Sequence, residues 1–148
     1  MKRQSQKLAD LLDNYTIRLS MMEEEEMEQK TSPSKWSKKE IVGHLVDSAQ
    51  NNIQRFIRAQ IQDNYQLIKY EQDKWVELNN YQSWDEVLLV QYFRSVNQQV
   101  IMIWEKMPNE QLTSACVVDG DTVTLEWIMD DYLVHMEHHL KQIFPDND

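Results

Sequence analysis

Three of the four histidines in this 148-residue chain, His135, His138 and His139, lie within five consecutive positions. His135 and His139 are four residues apart, and on a helix this spacing directs both side chains to the same face. Two imidazoles placed in this way can bind one divalent ion when a third ligand from elsewhere completes the site. The fourth histidine, His44, is the obvious third ligand. An exposed polar face explains the pair equally well, because histidine pairs are also common on solvated helices.

The same stretch excludes one common type of metal site. In a zincin helix a glutamate directly follows the first histidine, whereas Met136 occupies that position here. Glu137 points to the far side of the helix from His135, so it is not placed to act as a general base. Metalloprotease chemistry is therefore not expected. Three neutral imidazoles would leave coordination positions free for water or substrate, which is typical of a catalytic rather than a structural ion.

A mixed polar stripe follows the helix predicted around His44. At 3.6 residues per turn, five polar residues of this helix lie within about 100° of one another: His44, Asp47, Ser48, Asn51 and Arg55. An ordinary solvated face would show more lysine and glutamate, so this combination slightly favours the lining of a wet cleft. A solvated face nevertheless remains the alternative interpretation.

Two carboxylates are candidates for orienting the histidines. A metal-binding histidine usually donates its second ring N–H to a nearby acceptor, often a carboxylate. Asp47 lies near His44 in the sequence, and Asp131 precedes His135 by one helical turn. Each is explained equally well as an ordinary surface carboxylate.

The elements that position these residues are predicted to be helices. The chain contains only 2 Gly and 3 Pro, and residues with high helix propensity are plentiful. Apolar residues at three- and four-residue spacing predict four long helices, over residues 5–28, from Lys38 to about Gln60, from the Ser83–Glu86 segment to Pro108, and over Leu125–Phe144. Capping boxes at Ser37–Glu40 and Ser83–Glu86 mark the start of the second and third helices, and Trp36 is placed for a hydrophobic staple.

Two segments between the helices follow other patterns. The connection over residues 63–82 is rich in aromatic residues, and we expect a short helix near Asp73–Leu78 within it. Connections of this length are often functional or pack over a site. Alternating residues on either side of Asp119-Gly120 predict a small β-hairpin directly before the last helix.

Composition limits the classes of function and of location. A formal net charge of −10, with no compensating stripe of Lys and Arg, argues against nucleic-acid binding. Cys116 is the only cysteine, so an internal disulfide is impossible and a reducing compartment is expected. No apolar run is long enough to cross a membrane, and the first residues do not resemble a signal peptide. We therefore expect a single domain over residues 1–148, located in the cytoplasm and not associated with a membrane.

Two separated segments resemble the signatures of a known family. The segment from Trp36 to Ser48, WSKKEIVGHLVDS, continuing through NNIQRF to Phe56, is similar to the first signature of the DinB-like superfamily. It is most similar to the bacillithiol S-transferase-like branch. The segment YLVHMEHHLKQI, from Tyr132 to Ile143, resembles the His-x-x-x-His helix of the same family. The resemblance covers most of the chain.

This resemblance implies an all-α fold, a four-helix bundle with up-down-down-up topology and a small β-hairpin before the last helix. It also implies a homodimer and a divalent ion, with nickel or zinc expected, at one end of the bundle. By position, the ligands would be His44, His135 and His139. His138 matches a position that is not usually a ligand, so it is a candidate for the surroundings of the site together with Asp47, Asn51, Arg55 and Asp131.

We consider three functions, in the following order, of which the resemblance implies the first two. The first is transfer of a low-molecular-weight thiol, such as bacillithiol, mycothiol or glutathione, onto a small electrophilic substrate. The second is metal-dependent hydrolysis of a small ester or amide, and the third is a bundle that only binds a partner. The family is named after DNA damage induction, and this name does not indicate DNA binding.

Overall fold

The computed structural model describes residues 1–145, most of which are helical. The helices are α1 (Arg3–Ser20), α2 (Glu24–Glu28), α3 (Lys38–Ile61), α4 (Gln72–Asn79), α5 (Glu86–Lys106) and α6 (Leu125–Ile143). The strands are β1 (Tyr65–Gln66), β2 (Ala115–Val118) and β3 (Asp121–Thr124), and short 3-10 helices occupy Tyr81–Ser83 and Asn109–Thr113. The four long helices α1, α3, α5 and α6 form the bundle. No helix in the described part is both long and apolar enough to cross a membrane.

The bundle has the up-down-down-up topology that the sequence resemblance implies. Helices α1 and α3 each pack against both α5 and α6. Gln50 on α3 contacts Tyr92, and Phe56 one and a half turns later contacts Trp104, so α3 and α5 run parallel. The start of α1 lies beside the end of α5, and α3 runs antiparallel to α6. The long connection between α3 and α5 allows these consecutive bundle helices to run in the same direction.

The apolar core extends up to the histidines. On α1, Leu8, Leu12 and Leu19 are buried, and full burial of such a side chain contributes about 1.5–3 kcal/mol. An aromatic cluster then joins three helices, with ring centroids 5.3–5.9 Å apart and edge-to-face geometry. Its members are Phe56 on α3, Trp104 on α5 and Tyr132 on α6. Because Tyr132 lies one turn before His135, this cluster fixes the part of α6 that carries the histidines.

The first predicted helix is wrong in its extent. It was expected over residues 5–28, but α1 ends at Ser20 and a separate short helix, α2, begins at Glu24. Successive glutamates at the end of α1 would have opposed its macrodipole. In the first turn of α2 they instead complement the positive end of a helix.

One of the two predicted capping boxes is confirmed. The Ser37 hydroxyl accepts a hydrogen bond from the Glu40 N–H at 3.1 Å, and the Glu40 carboxylate accepts one from the Ser37 N–H at 3.0 Å. The box predicted at Ser83 is wrong, because Ser83 belongs to a 3-10 helix and Asp85 caps α5 by accepting from the Leu88 N–H. Aspartate and serine are equally good N-caps, so two candidate caps close together leave the start undetermined.

The predicted β-hairpin is confirmed, and β1 adds a third strand parallel to β2. Asp119 and Gly120 form its turn, both with positive φ, as a two-residue hairpin turn requires. The hairpin leads directly into α6, where the Thr124 hydroxyl caps the helix by accepting from the Trp127 N–H at 3.1 Å. The small sheet therefore determines where the histidine helix begins.

Candidate metal centre

Three imidazoles converge between two antiparallel helices. His44 projects from α3, and His135 and His139 project from consecutive turns of α6. The Nε2 atom of His135 lies 3.2 Å from Nε2 of His44 and 3.2 Å from Nε2 of His139. One potential ligand atom from each of the three residues lies within 4.8 Å of the others. The structure thus brings together the three histidines that the sequence singled out.

Burial keeps these imidazoles neutral at physiological pH. His44 is completely buried, and its desolvation, followed by the charges of His139 and His135, lowers its pKa to about 3. Burial, followed by the charges of His139, His138 and Arg55, lowers the pKa of His135 to about 4. The pKa of His139 is also lowered, mainly by burial. Neutral imidazole is the form that binds a metal ion.

A glutamine sets the tautomer of one histidine. Nδ1 of His139 lies 2.8 Å from the Gln142 side-chain oxygen, which can only accept, so Nδ1 carries the proton and Nε2 keeps its lone pair. The Gln142 amide nitrogen lies 3.3 Å from Nε2 of His138 and donates to it. His138 is exposed and outside the three-histidine cluster, and it contacts the cluster through Gln142 and through an edge-to-face contact with the His139 ring, with centroids 5.3 Å apart.

A tryptophan from the loop before α3 covers one side of the cluster. The ring centroid of Trp36 lies 4.8 Å from that of His44 and 6.5 Å from that of His139. Ser37 begins the capping box, so the same local structure that starts α3 also places Trp36 against the histidines. The indole shields this side of the cluster from water.

The carboxylate of Asp47 lies in a buried cluster and not beside a ring nitrogen. Its Oδ1 atom accepts hydrogen bonds from the Tyr81 hydroxyl at 2.6 Å and from the Asn79 amide at 3.1 Å. Burial raises the pKa of Asp47 to about 6, although the bond from Tyr81 opposes this shift. Among the described residues neither Oδ2 of Asp47 nor Nδ1 of His44 has a hydrogen-bond partner. The orienting role expected of Asp47 toward His44 thus has no corresponding hydrogen bond.

A polar cleft of about 330 Å³ opens beside His135. It is lined by Ser48, Asn52 and Arg55 from α3, by Lys69 and Tyr70 from the connection to α4, by Gln72 at the start of α4, and by Asp131, Tyr132 and His135 from α6. The Arg55 guanidinium donates to the Ile68 carbonyl at 2.9 Å and so holds this connection over the cleft. Burial raises the pKa of Tyr70 to about 12, so its hydroxyl remains a hydrogen-bond donor.

The sequence-derived candidates around the histidines divide into two groups. Arg55, from the mixed polar stripe on α3, and Asp131, which was expected to orient a histidine, both line the cleft. Asp47 instead faces Tyr81 and Asn79, and the Asn51 amide donates to the Asp47 carbonyl within α3. No hydrogen bond joins Asp131 to a histidine among the described residues, so its place is on the rim of the cleft.

Several residues of the site had no functional prediction. Trp36 had been assigned only a packing role at the start of α3, and Tyr70 belonged to a connection that we expected to pack over a site. Gln142 follows His138 by four residues and His139 by three, a spacing that allows contact on a helix. This spacing was the only available signal for Gln142. No signal in the sequence linked Tyr81 to Asp47, because the two are 34 residues apart.

The donor set fits a divalent cation. The Nε2 atom of His135 lies 3.2 Å from a ring nitrogen of His44 and 3.2 Å from a ring nitrogen of His139. It carries either one proton or one lone pair, so it cannot form hydrogen bonds with both nitrogens at once. A shared cation would satisfy all three. Three imidazole nitrogens are suited to zinc or nickel, and the remaining coordination positions would be free for other ligands.

Comparison with known proteins supports a metal-binding fold of one family. The family model described as the DinB superfamily matches residues 7–143. A protein of Halalkalibacterium halodurans named "Putative metal-dependent hydrolase BH0277" is 25% identical over 123 residues, which cover 82% of this chain and 71% of the relative.

A solved structure has the same architecture. YfiT from Bacillus subtilis, described as "a probable metal-dependent hydrolase with an unusual four-helix bundle topology", superposes with a TM-score of 0.81. The match covers 98% of this chain and 86% of YfiT at 19% sequence identity. At this level of identity the likeness concerns the fold.

Proposed function

This chain belongs to the DinB superfamily, and from this membership and the arrangement of its histidines we propose that it is a divalent-metal-dependent hydrolase of small molecules. His44, His135 and His139 are the proposed ligands, and zinc or nickel is the proposed ion. The observation that carries the proposal is the convergence of three neutral ring nitrogens, with Nε2–Nε2 distances of 3.2 Å, beside an open polar cleft.

The names of two similar proteins support hydrolysis. The relative from Halalkalibacterium halodurans and YfiT are both described as metal-dependent hydrolases, with the qualifications in their names. A divalent ion in such a site supplies Lewis acidity, which lowers the pKa of a bound water and polarises a carbonyl oxygen.

The protein's own residues would position the reactants. Gln142 keeps the Nε2 lone pair of His139 directed at the shared point, and Trp36 excludes water from the far side. The substrate would then enter from the cleft beside His135, where the Tyr70 hydroxyl and the Arg55 guanidinium offer hydrogen-bond donors.

Thiol transfer is the second proposal. It rests on the sequence resemblance to the bacillithiol S-transferase-like branch, and it uses the same three histidines, because a site that binds water can also bind a thiolate. Hydrolysis takes first place because both similar proteins are named as metal-dependent hydrolases. The homodimer expected from the resemblance is a further proposal, and light scattering of the purified protein would measure it.

The metal site is tested by the metal content of purified protein. We expect about one equivalent of zinc or nickel in the wild type and none in the double variant His135→Ala, His139→Ala, because a single imidazole binds a divalent ion weakly. His138→Ala is the matched control, since it removes an exposed histidine from the same helix, and it should retain the ion. Loss of metal in the control but not in the double variant would contradict the proposed ligands.

The reaction is tested with the metal-loaded protein. We expect hydrolysis of a panel of small esters and amides without any thiol, with a rate that rises with pH as the water ligand ionises. Turnover that requires a thiol and a haloaromatic electrophile would favour the transferase. If no metal is bound even after incubation with zinc and nickel, both enzymatic proposals fail.

A further inference from the structure

The cleft beside His135 contains the guanidinium of Arg55, which forms no salt bridge with any described residue, and a carboxylate, Asp131, on its rim. We propose, building on the function proposed above, that this cleft selects small substrates that carry one carboxylate a few bonds from the group that reacts, and that Arg55 binds this carboxylate. Arg55 is then a specificity-determining residue.

The hydrogen bonds of Arg55 leave part of its guanidinium available. It donates to the Ile68 carbonyl at 2.9 Å and makes a long contact of 3.4 Å with the Asn52 side chain. A guanidinium has five N–H donors, so these two contacts do not exhaust them. Among the described residues no carboxylate lies within 4.0 Å of it. The two existing contacts hold the side chain in place, which reduces the entropy lost when it binds an anion.

The other charges on the cleft do not replace Arg55. Lys69 is already paired with Asp119 at 2.7 Å, and both side chains are largely exposed, so this pair is screened by solvent. Among the described residues Asp131 is the only carboxylate in the lining; burial raises its pKa, and the charge of Arg55 partly opposes this shift. A carboxylate ligand would therefore be attracted by Arg55 and repelled by Asp131.

This balance favours one negative charge over two. A carboxylate carries a single charge at neutral pH, whereas a phosphate monoester carries nearly two. The whole chain has a formal net charge of −10, and its field disfavours a more highly charged anion. One guanidinium fork matches the two oxygens of one carboxylate.

The position of Arg55 sets the distance between the carboxylate and the reacting group. Ser48, Asn52 and Arg55 follow one face of α3, and Asp131 precedes His135 by one turn on the antiparallel α6. Arg55 lies close enough to His135 for its charge to lower the pKa of that histidine. Because Arg55 and His135 line the same cleft, a carboxylate bound by Arg55 and a group facing the histidines could belong to one small molecule. N-acetylglycine, with its carboxylate carbon three bonds from its amide carbonyl carbon, is a small probe of this kind.

The inference is tested by titrating N-acetylglycine and its neutral analogue N-acetylglycinamide into the full chain, with binding followed by nuclear magnetic resonance. The protein is first freed of metal with a chelator, so that no ion can bind the carboxylate. We expect N-acetylglycine to bind at least tenfold more tightly than the amide, because a charge-assisted, two-point contact is lost with the amide. Added salt should weaken this binding.

Four variants separate the proposed role from a structural one. Arg55→Ala should reduce the affinity for N-acetylglycine at least tenfold and leave that for the amide unchanged, and Arg55→Lys should be intermediate. Asp131→Asn should bind N-acetylglycine a few-fold more tightly, because it removes a like charge. Arg58→Ala is the matched control, since Arg58 lies one turn further on α3, donates to Gln54 and is absent from the cleft lining.

Equal affinity for the two compounds, no binding of either, or an unchanged affinity in Arg55→Ala would each overturn the inference. If Arg55→Ala does not fold, the Asp131→Asn result still decides, because weaker or unchanged binding there contradicts a carboxylate beside Asp131. The outcome is independent of the proposed hydrolysis. A protein that binds N-acetylglycine through Arg55 but contains no metal would keep the anion subsite and refute the metal-dependent enzyme.

Discussion

Two cavities of the molecule differ in the chemistry of their linings. One is the polar cleft beside the histidines, and the other is a groove between α1 and α5. The groove is larger, at about 460 Å³ against about 330 Å³ for the cleft. Its lining is mostly apolar, with Ile17, Met21 and Val87 more than half exposed. The cleft instead contains a guanidinium, a carboxylate, a phenol and an imidazole within one small space. The comparison indicates that convergent polar groups, and not volume, identify the site.

The two regions also differ in how tightly their supports are packed. Behind the histidines, His44 and Asp47 are fully buried, and Tyr81 lies directly against the backbone of Gly43. Around the groove the apolar side chains have free space on one side. A small change in shape should therefore be costly behind the histidines and almost neutral in the groove.

The largest effect on stability is expected for Gly43→Ala. A Cβ atom at this position would lie 2.1–2.7 Å from three ring carbons of Tyr81, so the ring must move. This movement would break the 2.6 Å hydrogen bond to Asp47, which lies one turn after Gly43 on α3. We expect a loss of about 2–4 kcal/mol in the free energy of unfolding, from overpacking and the broken buried bond, measured by chemical denaturation.

Gly120→Ala is the matched control for this substitution. Gly120 has a positive φ of 83°, and an added Cβ atom would meet nothing within 4 Å. The cost there is only backbone strain, about 1 kcal/mol. If Gly43→Ala were no more destabilising than Gly120→Ala, the packing behind the histidines would be looser than described.

Local sequence signals predicted the parts of this site that depend on a single helix. The spacing of His135 and His139 placed both on one face, and the Ser37–Glu40 capping box placed the start of α3 within one residue. His44 was the obvious third ligand because it is the only other histidine in the chain, and the resemblance then supplied the topology, which no local pattern could provide. Of the polar stripe on α3, Ser48 and Arg55 line the cleft beside His135, whereas Asp47 and Asn51 do not.

Contacts between distant segments were not predictable in the same way. Tyr81 reaches Asp47 across 34 residues, and Trp36 packs on His139 across more than 100, so neither contact leaves a periodic trace in the sequence. The end of α1 was missed for another reason. The helical spacing of apolar residues continues to Met22 and predicted a longer helix. The glutamates that follow would be unfavourable at a helix C-terminus, and α1 ends before them.

A smaller effect is expected from pH on the metal-free protein. Between pH 6.5 and about 4, His44 and His135 bind protons in the unfolded chain but not in the folded one, because burial lowers their folded pKa to about 3 and about 4. Stability is therefore lost as the pH falls below 6.5. Asp47 acts in the opposite sense below pH 6, because its folded pKa is raised to about 6.

The net loss should be about 1.4 kcal/mol per pH unit, since about one proton more binds to the unfolded chain. Chemical denaturation of chelator-treated protein at pH 7.5 and 5.5 measures it. His44→Gln should make the dependence on pH shallower, and Asp47→Asn should make it steeper. Equal slopes in the wild type and His44→Gln would contradict a buried, neutral His44.

The smallest effect is expected in the groove, for Ile17→Ser. The Ile17 side chain lies in the larger of the two cavities, but it is 62% exposed, so little apolar surface returns to water when it is shortened. We expect a change within about 0.5 kcal/mol in the free energy of unfolding and an unchanged metal content, measured as for Gly43→Ala. If Ile17→Ser instead abolished metal binding or turnover, the groove would be coupled to the histidines. The groove could then no longer be treated as separate from the polar cleft and its histidines.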